Sequence, residues 1–343
     1  MCELMGMSFA KPVVANVSIQ AFSQRSQDNA DGWGLAWYPD RSLAMVKQPM
    51  RWSVQHTHFL ENYPGLLSSI YVAHVRQRTT GSTPTHADTH PFARELNGRE
   101  YCFAHNGTLS GEFWQKPLGH FRPVGGTDSE FVFCLLLAEL ERFAPLVREV
   151  KQARKIGKLA KEQVEKTDGA AESSMPSLLG QTAVYRLDQA DGRLESPQQW
   201  QWLYQLLLQL NDFGRLNCIL TDGERLLVYH DKNGWKNLTY RSVYLHQDTE
   251  HHFGDATVAV NLQAQPVNHG VIVATNPLSV EGWEHFLPGE MKILHEGNIV
   301  FSRRAGLHEG QGAAKSPPDT VRVAPIAAES QAVLNGGKAA AKS

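Results

Sequence analysis

The sequence predicts an α+β protein in which antiparallel sheets and helices stack in layers. Three observations carry this: a strand-rich first part, two long apolar helices in the middle, and a second series of short strands from Arg215 to Phe301. In the first part, "GLAWYP" and "LAMVKQP" flank the turn "PDRS" and read as a hairpin. "MSFAKPVVANVSI" is ambiguous. "SSIYVAHVRQRT" is rich in β-branched and aromatic residues, the composition of a buried strand with a polar end. "EYCFAHNGTL" repeats that pattern and is expected to stop at the turn-forming pair Asn106-Gly107.

The first helix is predicted within "GGTDSEFVFCLLLAELERF", where Thr127 and Glu130 have the spacing of a capping box ahead of an apolar run. The second is "SPQQWQWLYQLLLQLNDFG", with Ser196 as cap, Pro197 in the first turn and Gly214 as stop. Between them, 147–168 is charged and helical in character, and "TDGAAESSMPS" reads as a loop. The later strands are expected in "RLNCILTDG", "RLLVYHDKNG", "ATVAV", "GVIVAT" and "EMKILHEGNIVF". From about Ala305 the chain is rich in Ala, Gly, Pro and Ser without periodicity, and 305–343 is expected to be a disordered tail.

Composition narrows the function. The 343 residues are 42% hydrophobic and 20% charged, as in an ordinary globular protein, and the formal net charge of −2 gives no basis for nucleic-acid or anionic-membrane binding. No apolar run is long enough to span a bilayer, and no secretory leader is visible. The four cysteines, Cys2, Cys102, Cys134 and Cys218, are widely spaced without a CxxC, which suits a reducing compartment; the cytoplasm is the expected location. Cys102 and Cys134 lie in apolar runs and read as core residues. His86 and His90 are four apart, but Pro91 argues against the helix that would align them as metal ligands, so no metal or other cofactor is expected.

Cys2 is different. Removal of Met1 would put a thiol and an α-amine on one residue, and both kinds of group titrate near physiological pH. A nucleophile and a proton acceptor would then share a residue. Such a nucleophile needs oxyanion donors and groups that grip both ends of its substrate. Asn106 can offer a side-chain NH₂, and Gly107 a backbone N–H with no Cβ in the way. Arg76, at a strand end, can hold a carboxylate in a bidentate fork, and Asp128 can hold an ammonium. Taken singly, each has a duller explanation: Asn106-Gly107 is a turn pair, and Asp128 compensates a helix dipole.

Taken together and in this order, "CELMGMSF", "NADGWGLAWY", "AHVRQRTTG", "THPF", "FAHNGTL" and "GTDSEF" resemble the class II glutamine amidotransferases, a family of N-terminal-nucleophile (Ntn) hydrolases. "FGRLNCILTDGERL" and "VIVATNPLSVEGWEHFLPGEM" resemble the stand-alone branch, which has no fused synthase domain. The resemblance covers roughly residues 2–303. It implies a four-layer αββα sandwich over 2–304, with roughly 150–196 as an insertion to which the family assigns no role. It implies that Cys2 is the nucleophile and its α-amine the base, and that Asn106 and Gly107 form the oxyanion hole. Arg76 and Asp128 would bind the α-carboxylate and α-ammonium of the donor, Thr79 would line the pocket, and His90 would stand at its edge. The family's commonest opening is Cys-Gly-Ile; here Glu3 and Leu4 follow the cysteine.

The implied reaction is cleavage of the γ-glutamyl amide of glutamine or a γ-glutamyl compound through a γ-glutamyl thioester. Two alternatives stand beside it: a hydrolase of γ-glutamyl peptides or conjugates, and a non-catalytic module that binds a γ-glutamyl ligand. The expected partner is a small-molecule γ-glutamyl donor. A separate enzyme accepting the ammonia or the glutamyl group is also compatible, since the chain carries no acceptor domain.

Overall fold

Strand β1 (Glu3–Val17) begins one residue after Cys2, and its side chains divide between two cores. Leu4 faces one side; Met5, Met7 and Phe9 face the other. The structure, a computed structural model, describes residues 2–17, 30–49, 66–77, 85–143, 193–246, 250–255, 258–263 and 267–304. All of them belong to one compact unit, Met1–Ala305. The expected tail, 305–343, and almost all of the expected insertion, 150–196, lie outside the described residues.

Two antiparallel sheets follow from the pairing. The first contains β2 (Ala30–Trp37), β3 (Ala44–Gln48), β4 (Leu67–Gln77), β9 (Thr239–Leu245), β12 (Asn268–Ala274) and β13 (Glu284–His285), in the order β13-β9-β12-β1-β4-β2-β3. The far end of β1 pairs with β11 (Val258–Gln263), which carries β10 (Glu250–Asp255). The second sheet runs β15-β14-β8-β7-β6-β5, from β5 (Phe92–Leu96), β6 (Arg99–Leu109), β7 (Gly214–Thr221), β8 (Arg225–Tyr229), β14 (Glu290–His295) and β15 (Asn298–Arg304).

The sheets pack face to face through Leu4, Val72 and Val273 of the first and Ala104, Ile219 and Val228 of the second, all buried. Burying each such valine, leucine or isoleucine contributes roughly 1.5–3 kcal/mol. The outer face of the second sheet packs Phe103 and Leu220 against helix α1 (128–143) and helix α2 (Pro197–Leu210) through Phe133, Leu203 and Leu207. The outer face of the first sheet is buried as well, around Met7, Trp33, Trp37 and Tyr71. The expected α+β arrangement of two stacked antiparallel sheets is present; the helices expected over the first sheet lie outside the described residues.

Several local expectations hold. The hairpin forms with Trp37 opposite Ala44, and α2 starts at Pro197 behind a Ser196–Gln199 capping box. The capping box of α1 is only half made. The Glu130 N–H donates to Thr127 Oγ1 at 3.2 Å, but the Glu130 carboxylate turns to the N–H groups of Val124 and Gly125 and to Arg94.

One expectation fails instructively. Asn106-Gly107 is not a turn: β6 runs through it to Leu109, paired as Asn106 with Asn217 and Gly107 with Leu216. The neighbouring strand decides the backbone here, overriding local turn propensity.

Glycines let the layers close. At Gly34 a Cβ would stand 2.3 Å from the His90 carbonyl oxygen and 2.7 Å from Pro91 Cδ. Because backbone blocks that space, Gly34→Ala should destabilise the protein by about 1–3 kcal/mol, measured by denaturant unfolding. Unchanged stability would show that the 89–91 segment yields freely.

Candidate active site

The start of β1 and the middle of β6 meet across the two sheets. The buried Asn106 carboxamide donates through Nδ2 to the Cys2 carbonyl oxygen at 2.9 Å. This fixes the orientation of the amide, since its own oxygen cannot face a carbonyl. Oδ1 of Asn106 is buried without a hydrogen-bond partner among the described residues. The second N–H of the same NH₂ is a further donor in a buried place.

Gly107 follows. A Cβ there would lie 2.0 Å from the Arg215 carbonyl oxygen and 2.4 Å from His105 Nε2, so only glycine lets β6 run this close to β7.

Asp128 opens α1 directly beyond. Its Oδ2 accepts the Leu109 N–H at 2.7 Å, tying the helix start to the end of β6. A second tie runs beneath it. His105 Nε2 faces the Arg215 carbonyl at 3.1 Å; a carbonyl only accepts, so Nε2 carries the proton and Nδ1 accepts from the Ser129 hydroxyl at 2.9 Å. Burial lowers the pKa of His105 and outweighs the pull of Asp128, so the ring is neutral at physiological pH.

Arg76 stands next to last in β4. Its Nη1 donates to the Asp88 carbonyl at 2.6 Å. The Asp88 carboxylate in turn accepts from Thr85 Oγ1 at 2.6 Å and from the Gly126 N–H at 2.8 Å. Partial burial pushes the Asp88 carboxyl up, but these bonds and the nearby Arg76 and Lys47 outweigh it and hold it below the usual carboxylate range. The 85–88 loop thus bridges Arg76 and the segment leading to Asp128.

His90 lies inside the protein, its ring tilted against that of His74 at 4.3 Å and set edge-on to Phe92 at 4.6 Å. Neither ring nitrogen of His90 has a hydrogen-bond partner among the described residues. Burial, followed by neighbouring His74, pushes His90 well below its ordinary pKa; His74 is pushed down to about 3, first by burial and then by Arg76. Both rings are neutral. Thr79 lies outside the described residues.

Of the residues singled out in the sequence, Cys2, Asn106 and Gly107 are brought together. Arg76 and Asp128 are linked to each other's surroundings through Asp88. Four residues that sequence reasoning passed over also belong to this neighbourhood: His105, Asp88, Ser129 and Lys236. Lys236 Nζ lies 3.3 Å from the same Cys2 carbonyl oxygen that Asn106 holds. It lies just past the run "RLLVYHDKNG", where a strand is expected, and nothing local marks it as functional.

The thiols differ sharply. Cys2 is half-buried, whereas Cys102, Cys134 and Cys218 are core residues. Burial pushes the Cys134 thiol up to about 11 and those of Cys102 and Cys218 higher still.

Comparison with known proteins shows the family. The family model described as class II glutamine amidotransferases matches residues 1–172 and 164–318. An uncharacterized protein of Methanocaldococcus jannaschii, MJ1515, is 31% identical over 309 residues, covering 89% of this chain and 72% of that protein. YafJ of Escherichia coli, provisionally assigned as a glutamine amidotransferase, is 30% identical over 311 residues, covering 88% of this chain and 100% of that one. The crystal structure of a predicted glutamine amidotransferase from Pseudomonas aeruginosa covers 88% of this chain with a TM-score of 0.55 at 24% identity, a likeness of fold.

The burial contrast gives a direct expectation. In the native protein a thiol reagent should modify Cys2 first and alone, with the other three reacting only after denaturation. Early labelling of Cys102, Cys134 or Cys218, located by peptide mass, would contradict the placement of these residues.

Proposed function

Because the chain belongs to the class II glutamine amidotransferases, we propose that it cleaves γ-glutamyl amides with Cys2 as nucleophile. The observation that carries this reading is the Asn106 side chain, a buried amide donor seated on the one residue that bears a half-buried thiol. In the proposed cycle Met1 has been removed. The Cys2 thiol gives its proton to its own α-amine, directly or through water, and the sulfur attacks the donor's carboxamide carbon. The second Asn106 N–H and the Gly107 N–H receive the developing oxyanion. As the C–N bond breaks, the leaving amine takes the proton from the α-ammonium. Water, deprotonated by the same amine, then opens the γ-glutamyl thioester and restores the thiol.

Arg76 and Asp128 take the two charged ends of the glutamyl donor in this proposal. Thr79 lines the pocket, and His90 belongs to the packed wall beside Arg76. A separate acceptor of the ammonia or glutamyl group is part of the same reading. Thiols rather than disulfides at all four cysteines suit a reducing compartment, so the cytoplasm is the proposed setting.

A panel of γ-glutamyl donors with product detection tests the reading. Glutamine or a γ-glutamyl compound should release ammonia or amine, and Cys2→Ala should abolish release while donor binding persists. Asn106→Ala should lower kcat on the order of 10²–10³-fold, equivalent to about 2.7–4 kcal/mol. Asparagine should be a poor donor, because one methylene fewer draws its carboxamide away from the thiol. Protein lacking Met1 that binds γ-glutamyl ligands and releases nothing from any donor would replace this reading with that of a binding module.

Asp88→Ala should act on the donor clamp from a distance. Its loss releases the loop that holds Arg76, so the Michaelis constant for the donor should rise about tenfold with a smaller change in kcat. An unchanged Michaelis constant would show that Arg76 is held without the loop.

A further inference from the structure

We propose that Lys236 is a positioning residue for the nucleophile: with Asn106 it clamps the Cys2 carbonyl oxygen and so holds a cationic donor on the residue that bears the reacting thiol. The inference rests on the γ-glutamyl hydrolase reading above. Its basis is the pair of donors on one oxygen, Asn106 Nδ2 at 2.9 Å and Lys236 Nζ at 3.3 Å. They reach it from separate elements, β6 and the connection between β8 and β9. Two donors fix a carbonyl in direction as well as distance, and so fix the residue whose side chain must attack.

The connection that carries Lys236 is built rigidly. Oδ1 of the buried Asp231 accepts the N–H groups of Asn233 at 2.8 Å and Trp235 at 3.2 Å, while Oδ2 accepts the Leu216 N–H at 2.9 Å and Asn211 Nδ2 at 2.7 Å. Asn217, opposite Asn106 in the sheet, accepts the Asp231 N–H at 2.8 Å and donates to the Trp235 carbonyl at 3.0 Å. The His230 ring packs between two carbonyl oxygens, with Nε2 2.9 Å from that of Lys236 and Nδ1 3.1 Å from that of Leu287. The Lys236 backbone itself sits at φ 57°, a conformation that non-glycine residues adopt only when their surroundings impose it. Its ammonium lies 5.0 Å from the centre of the Trp235 ring, which also packs the Arg215 guanidinium at 5.2 Å. The strand carrying Asn106 and the loop carrying Lys236 are therefore joined through Asn217, and their two donors converge as one unit.

Two measurements on the full-length protein test this, using Lys236→Met and Lys236→Arg with thermal unfolding as a check of fold. In steady state, Lys236→Met should lower kcat about tenfold or more, with the donor's Michaelis constant within about threefold, because Arg76 and Asp128 are untouched. The second readout needs no donor: the rate at which iodoacetamide alkylates Cys2 at neutral pH, followed by peptide mass. It should fall about tenfold in Lys236→Met and recover at least in part in Lys236→Arg, which restores a cationic donor. If the methionine variant does not fold, Lys236→Gln carries the same comparison. An unchanged alkylation rate, an arginine variant as slow as the methionine variant, or a loss confined to the Michaelis constant would overturn the proposal. Wild-type protein that releases nothing from any γ-glutamyl donor would overturn the hydrolase reading instead, and the alkylation rates would still decide the role of Lys236.

Discussion

The hydrogen bond from the Asn106 side chain to the Cys2 carbonyl is the constraint on which the site depends. It joins the residue that leads into β1 of one sheet to β6 of the other. It also requires everything that brings those strands to a common level: the apolar seam from Leu4 to Val228, the uninterrupted course of β6, and a glycine at 107 where Arg215 leaves no room for a side chain. A single amide placed this way costs free energy if its partners are absent, because buried polar groups must be paired. The Asn106 oxygen is buried and has no hydrogen-bond partner among the described residues.

Around that contact the polar groups are organised by neutral or locally compensated side chains rather than by exposed ion pairs. His105 is buried and neutral, and it links β6, β7 and the start of α1 through Arg215 and Ser129. Asp88 and Asp231 each gather several donors and thereby fix a loop on either flank, one reaching Arg76 and the other carrying Lys236. Positions fixed by several converging bonds lose little further entropy when a substrate binds, which is the physical content of preorganisation. The same loops make the site sensitive to substitutions that touch no substrate.

Much of this was legible in the sequence, for identifiable reasons. The α2 helix announces itself by Ser196, Pro197 and a long apolar run, and the β2–β3 hairpin by its turn residues. Cys2, Asn106, Gly107, Arg76 and Asp128 could be nominated because each has a residue type suited to one step of the same chemistry. What stayed hidden depends on long-range pairing. Asn106-Gly107 has turn chemistry, and only β7 alongside makes it strand. Glu130 has the spacing of a reciprocal cap, yet Arg94 and two backbone donors claim its carboxylate. Lys236 sits 234 residues from Cys2, just past an expected strand run, with nothing local to mark it. His90 falls in a motif-like stretch, but its burial against His74 follows from how the 89–91 segment packs on Gly34.

In the proposed cycle the half-buried thiol of an N-terminal Cys2 forms a covalent intermediate. Rapid acid quenching of protein mixed with a turning-over γ-glutamyl donor, followed by mass analysis of the N-terminal peptide, tests it most directly. The expected peptide begins at Cys2 and carries one glutamyl group on that residue, lost on treatment with hydroxylamine as a thioester is. Turnover with Met1 still attached, or a glutamyl group found on another cysteine, would contradict it.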